Sequence, residues 1–354
     1  MRRTAITAAA TLALCAAAAL AARPLPAAAA PPLRDPQEKH FTGVRQLTAG
    51  GANAEAYFSA DGKRIVFQST RPPYGCDQIF TMNLDGSDVR LVSTGKGRTT
   101  CSFFFPDGRR IVYASTHAAG EGCLEAPDRS QGYVWKLYPE YDIYAAGLDG
   151  APPVRLTATP GYDAEAAVSP DGSRIVFTSV RDGDLDLYLM NPDGSGVKRL
   201  TDRAGFDGGP FFSWDGKHIV YRSNYLKEQK ALDDYYSLLA QNLMRPTKAE
   251  IFYMKADGSG QRQVTATGHA NWSPFMHPNG RQIVFSSNMH DPQGRTFSLY
   301  VVNTDGTGLE RVTHGARFDS FPMFSPDGKQ LLFCSTRGAQ DPHEFNIFIA
   351  DWAE

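Results

Sequence analysis

Carboxylates recur at fixed distances ahead of a repeated Asp-Gly turn in this chain, and they are its main candidates for chemistry. In "YDAEAAVSPDG" (162–172), Asp163 and Glu165 stand two residues apart, six and four residues before the turn serine. The same first offset in the other copies falls on Asn53, Thr99, Asp207, Asn271 and Asp319. The second falls on Glu55, Cys101, Gly209, Ser273 and Phe321. On a period-two strand both offsets share a face, so three Asp and two Glu are expected to crowd one channel mouth. Such a mouth could hold a divalent cation or receive a cationic group. Glu55, Glu165 and His269 could also supply an acid–base pair for a lyase or hydrolase. His269 stands where four copies place Gly.

Each candidate also has a plainer reading. An Asp at a recurring offset can cap its own loop by accepting backbone N–H groups. Glu55 and Glu165 are not dictated by the repeat, so they carry the functional reading better than Asp163, Asp207 and Asp319. His117, His290, His314 and His343 are scattered, without a His-x-x-x-His or Cys-x-x-Cys spacing. No Gly-x-Ser-x-Gly, His-Glu-x-x-His or phosphate-binding glycine loop occurs. A catalytic set therefore remains unassigned, and no cofactor is firmly implied.

The elements that must position these residues are read from the repeat. The turns "SADG" (59–62), "FPDG" (105–108), "SPDG" (169–172), "SWDG" (213–216), "HPNG" (277–280) and "SPDG" (325–328) recur at roughly 44 to 64 residues. A second Asp-Gly turn follows each of the first five. Alternating runs rich in β-branched and aromatic residues, such as "RIVFQS" and "QIFTMN", separate the turns. Four short strands per unit make a propeller blade. The sixth unit lacks a fourth strand, and "GVRQLT" (43–48) supplies one from the other end. The expected fold is all-β: a six-bladed propeller over 43–354, closed by pairing the N-terminal strand with the C-terminal blade, which removes open edges.

The phrases "SPDG-x-x-I-V-F-x-S" and "L-Y-x-M-N-x-D-G-S" resemble the TolB-like propeller repeat family. The resemblance covers residues 43–354 and implies a stand-alone exported member without the separate α/β domain that precedes the TolB propeller. Family members serve as exported proteins and as gating domains of peptidases. Without that domain, the resemblance does not by itself imply a Tol–Pal role.

Residues 1–30 have the layout of a secretory signal peptide: Arg2 and Arg3, an apolar stretch from Ala5 to Ala22, then Ala-x-Ala sites. Cys15 follows Leu14, which is not the small residue that lipid attachment requires. Residues 31–42 read as a flexible N-terminal segment. An exported location, periplasmic or extracellular, permits disulfides. A bridge is expected among Cys76, Cys101 and Cys123, with Cys334 a buried thiol. The net charge of −2 gives no basic field for nucleic acid, and nothing after the leader is apolar enough to span a membrane.

Two long inserts interrupt the repeat on the face opposite the Asp-Gly turns. Residues 116–141 carry Tyr133, Trp135, Tyr138 and Tyr141, which could form an aromatic platform or pack the loop down. In 225–246, Leu232, Tyr235, Tyr236, Leu239 and Leu243 recur at helical steps, predicting one amphipathic helix of about four turns. The expected function is a binding scaffold for an envelope or extracellular protein, peptide or glycan, working as a monomer. Its expected contacts are Asn53, Glu55, Asp163, Glu165, Asp207, His269, Asn271 and Asp319.

Overall fold

The repeat serine and aspartate build their turn with their own side chains. In four blades the serine hydroxyl donates to the aspartate Oδ1 at 2.6 Å (Ser59, Ser169, Ser213 and Ser325). The same Oδ1 accepts the backbone N–H two residues on, as Asp61 does from Lys63 at 3.1 Å. Gly62 and its counterparts then take a positive φ, +67° at Gly62, which an L side chain would resist. The turn is thus specified locally, and it fixes the register of the two strands it joins.

The computed structural model describes residues 33–353 except 129, 131, 316 and 342. Their strands form six four-stranded antiparallel sheets and one two-stranded sheet. The six larger sheets are the blades of a six-bladed β-propeller. Their innermost strands are Ala52–Phe58, Thr99–Phe104, Asp163–Val168, Asp207–Phe212, Asn271–Met276 and Asp319–Phe324. In the sixth blade, Phe41–Gln46 pairs with Asn346–Trp352, with Val44 opposite Ala350. The first thirty residues, where a signal peptide with its cleavage sites was expected and where Cys15 stands, lie outside the described residues.

Of the segment 31–42, read as flexible, residues 33–40 are fastened to the sixth blade. Glu38 is fully buried against Arg337, whose guanidinium also reaches the Leu33 carbonyl at 2.9 Å. A carboxylate in a polar stretch carries no sequence sign of the arginine it meets 299 residues later.

The helix is shorter than its periodicity suggested. It runs from Gln229 to Leu239, and Asn242 takes a left-handed φ of 55° just beyond it, a conformation Asn tolerates at helix ends. Leu243 and Met244 then leave helical geometry and pair with Lys136 and Trp135. The two inserts are therefore joined by a small antiparallel sheet. Tyr235 and Leu238 are the buried residues of the helix. Tyr235 packs with Leu137, Tyr138 and Tyr141 of the other insert. Cys76 and Cys123 form a disulfide, Cα atoms 5.8 Å apart, that ties the root of the blade 2 insert to blade 1. Cys101 and Cys334 are free thiols.

Candidate functional site

Every innermost strand is broken at the same place. The register slips between Ala54 and Tyr57, and again at the matching positions of the other five blades. At each slip one residue has positive φ: Glu55 (50°), Cys101 (52°), Glu165 (56°), Gly209 (57°), Ser273 (50°) and Phe321 (54°). A bulge re-aims side chains that a regular strand would alternate. All six of these residues line one axial cavity, together with Tyr57, Phe211 and Arg222. The bulge breaks the period of two, so these residues do not share a face with those at the preceding offset.

The residues at the preceding offset face a different environment. Asn53, Asp163, Asp207, Asn271 and Asp319 are buried and do not line the cavity. Both carboxylate oxygens of Asp163 accept from the Arg181 Nη2, at 3.0 and 3.1 Å. Asp319 is paired with Arg337 at 3.1 Å. Asn53 accepts from Ser69 and from Arg71, at 2.8 and 2.7 Å. These Ser and Arg residues belong to the repeated "S-x-R" that ends the second strand of blades 1, 3 and 6. Asp207 has no such arginine: burial, with Asp186 and Asp184 nearby, pushes its carboxyl up to about 7. Asn271 donates to the Ala249 carbonyl (2.8 Å) and Thr267 (2.7 Å). His269 holds its loop by backbone bonds, its carbonyl accepting from Ala249 at 3.1 Å. Of the eight candidate contacts, the structure brings Glu55 and Glu165 together at the cavity and leaves the other six in the blade framework.

The cavity is not uniformly acidic, because it contains an arginine that the offsets did not point to. Arg222 projects from the second strand of blade 4 and forms an ion pair with Glu165, their side chains 6% and 13% exposed. Glu165 also accepts from Thr178 and from the Gly209 backbone N–H, each at 2.8 Å. A Cβ at Gly209 would lie 2.6 Å from the Arg222 Nη1, so glycine leaves the space the guanidinium fills. The sequence signal was the repeat itself. The residue before the strand-ending serine is Gln68, Ala114, Thr178, Ser286 or Cys334 in five blades and Arg222 in the fourth.

Among the described residues, Glu55 has no such cation in contact. It is half-buried, and burial raises its carboxyl to about 7, opposed by the Cys101 thiol hydrogen bond and reinforced by the Glu165 charge. The Cys101 thiol is itself pushed up by burial and by both glutamates, so it is a poor nucleophile. Among the described residues no group of three or more His, Cys, Asp or Glu side chains is placed to hold a metal ion. His117 bonds Ser115 and His290 bonds Thr296, each on its own loop.

Four rings meet on the axis beneath this cavity. Tyr57 and Phe211, from opposite blades, have centroids 5.2 Å apart, and Phe103 and Phe275 contact Phe211 at 5.8 and 5.2 Å. Above it, Trp135 of the blade 2 insert lies over Arg222, whose guanidinium is 5.1 Å from the ring centroid. The same indole contacts Trp272 at 5.2 Å. Tyr138 and Tyr141 are buried as packing, whereas Tyr133 stays 47% exposed. The space left for water-sized solutes is about 30 Å³, enough for a water or two.

Residues 127–236 match the model of the TolB beta propeller domain. A search of curated protein sequences finds no match. Among solved structures, a candidate TolB from Agrobacterium tumefaciens superposes with a TM-score of 0.59 at 21% identity, covering 88% of this chain and 94% of that one. TolB from Acinetobacter baumannii gives 0.53 at 17% identity, covering 85% of this chain and 64% of that one. Oligogalacturonate lyase from Vibrio parahaemolyticus gives 0.51 at 15% identity, covering 87% and 93%. At these identities the likeness is one of fold.

Proposed function

We propose that this chain, a TolB-like six-bladed propeller, works as an exported binding module whose contact surface is the joined pair of inserts over the channel mouth. One observation carries the reading. The inserts of blades 2 and 4 are bridged by paired strands into a single layer that covers Arg222 and presents exposed Tyr133 and Tyr236. Tyrosines on a braced scaffold are suited to protein, peptide or glycan contact, since each offers a large amphipathic area at small entropic cost. Tyr225 adds a third exposed ring, flanked by Arg203 and Lys227 at 5.2 Å each.

The small axial space argues against turnover of a sugar at Glu55 and Glu165. Substrate pockets run to about 300–1,000 Å³, roughly tenfold more than the 30 Å³ here. Export is supported by the leader-like N-terminus and by the Cys76–Cys123 disulfide, which persists in an oxidising compartment. No helix among the described residues is long and apolar enough to cross a membrane.

Photo-crosslinking from within the native envelope tests the proposal. A photoreactive residue at Tyr133 or Tyr236 is expected to capture one discrete partner, while the same probe at exposed Val154, on an outer strand, or Val197, just before one, captures none. Equal or empty capture at all four positions overturns it. Turnover of an oligogalacturonide, abolished by Glu165→Gln, would replace it with the lyase reading.

A further inference from the structure

The opposite end of the axis is ringed by the repeated Asp-Gly turns. The turns are uniform, but the mouth they surround is a pit. Below the four-ring plug the space open to water-sized solutes is about 250 Å³, against about 30 Å³ above it. An apolar cavity of about 150 Å³ already suffices for a benzene ring.

The wall is apolar and fixed. Phe104, Phe212, Phe275 and Met323 are each buried to within a few per cent, yet all line the pit. Trp214 completes it. Its indole is held by donating Nε1–H to the Met276 carbonyl at 3.0 Å and by an edge contact with Phe275 at 6.0 Å. Four of the six turns place proline at this position, so Trp214 is a departure from the repeat, made where the pit needs a wall.

The polar groups of the lining are already engaged. The Ser169 and Ser213 hydroxyls donate to Asp171 and Asp215 at 2.6 Å and accept from the Arg174 and His218 N–H groups at 3.0 Å. Among the described residues, no charged side chain lines the pit. Around it, the turn carboxylates are balanced by cations of the same turns, as Arg110 pairs with Asp107 at 2.8 Å and Lys217 with Asp215 at 3.8 Å. An anion entering the pit would lose its hydration against hydrocarbon, with no charged side chain to replace it.

We propose that the turn-face pit is a second binding site, taking a free, uncharged aromatic molecule of one or two rings. It is independent of the insert face, from which the ring plug separates it. Its size admits such a molecule, its aromatic walls offer stacking and edge contacts, and its closed hydrogen bonds leave nothing for a charged or strongly polar ligand.

Ligand-observed NMR on the mature protein tests this with naphthalene and its anionic counterpart 2-naphthoate. Naphthalene is expected to bind saturably, with 2-naphthoate at least about tenfold weaker. Trp214→Pro restores the residue most turns carry, and Ala60→Trp narrows the pit from the equivalent position in blade 1. Each should weaken naphthalene at least about fivefold with an unchanged circular dichroism spectrum, while Tyr133→Ser on the other face changes nothing. Absence of saturable binding to wild type, equal affinity for both probes, or unchanged affinity in both folded pit variants overturns the proposal. Tighter binding of a neutral peptide bearing an exposed Trp than of naphthalene would assign the pit to a partner's side chain and also overturn it.

Discussion

Arg222 and Glu165 join two neighbouring blades inside the axial cavity, the guanidinium from a second strand and the carboxylate from an innermost one. The guanidinium is roofed by Trp135, and its Nε finds no hydrogen-bond acceptor. The pair therefore links the propeller hub to the insert layer. Removing only the cation leaves a desolvated carboxylate, at a cost of about 3–5 kcal/mol. Arg222→Met is expected to lose stability in that range and to shift Trp135 fluorescence. Adding Glu165→Gln should recover more than half of the loss, and a double-mutant cycle by chemical denaturation measures it.

Glu55 makes stability depend on pH in an uncommon direction. Its folded-state carboxyl is raised to about 7 from 4.5, so between these values the folded chain holds a proton that the unfolded chain has released. Stability from this group is present below about pH 4.5 and is lost as pH rises through about 7. Glu55→Gln should therefore be more stable than wild type at pH 8, by on the order of 2–3 kcal/mol, and nearly equal at pH 4. Denaturant midpoints across that range check the sign. A variant that instead destabilises at pH 8 refutes the assignment.

The Cys76–Cys123 bridge closes a segment of 47 residues. Chain entropy gives such a bridge about 2–4 kcal/mol. Cys76→Ser/Cys123→Ser is expected to lose that much, and limited proteolysis should cut first between 116 and 141. Cys101→Ser should leave the proteolytic pattern unchanged.

Helix docking rests on Asp184, 6% exposed, which accepts hydroxyl bonds from Tyr235 and Tyr236 and the Gly205 N–H at 3.2 Å. Tyr235→Phe removes one donor from a buried carboxylate, worth about 1.5–3 kcal/mol. Faster amide exchange is expected in Gln229–Leu239, with little change in the innermost strands.

What lay open to reading in the sequence was whatever is specified locally and written repeatedly. "SPDG" makes its own turn, alternating runs between turns make strands, and the count of turns makes six blades. Glu55 and Glu165 stood out because the repeat did not require them, and both do face the cavity. What the tertiary structure decided was every pairing between distant segments. The bulge that sends Glu165 inward and Asp163 to Arg181 is a property of strands packed around an axis, and the helix ends early because Leu243 and Met244 find partners in Lys136 and Trp135. The pit at the turn face arises where six strand ends converge, its walls drawn from all the blades at once. Local sequence encodes each contributor, but an empty space is defined only by the side chains around it.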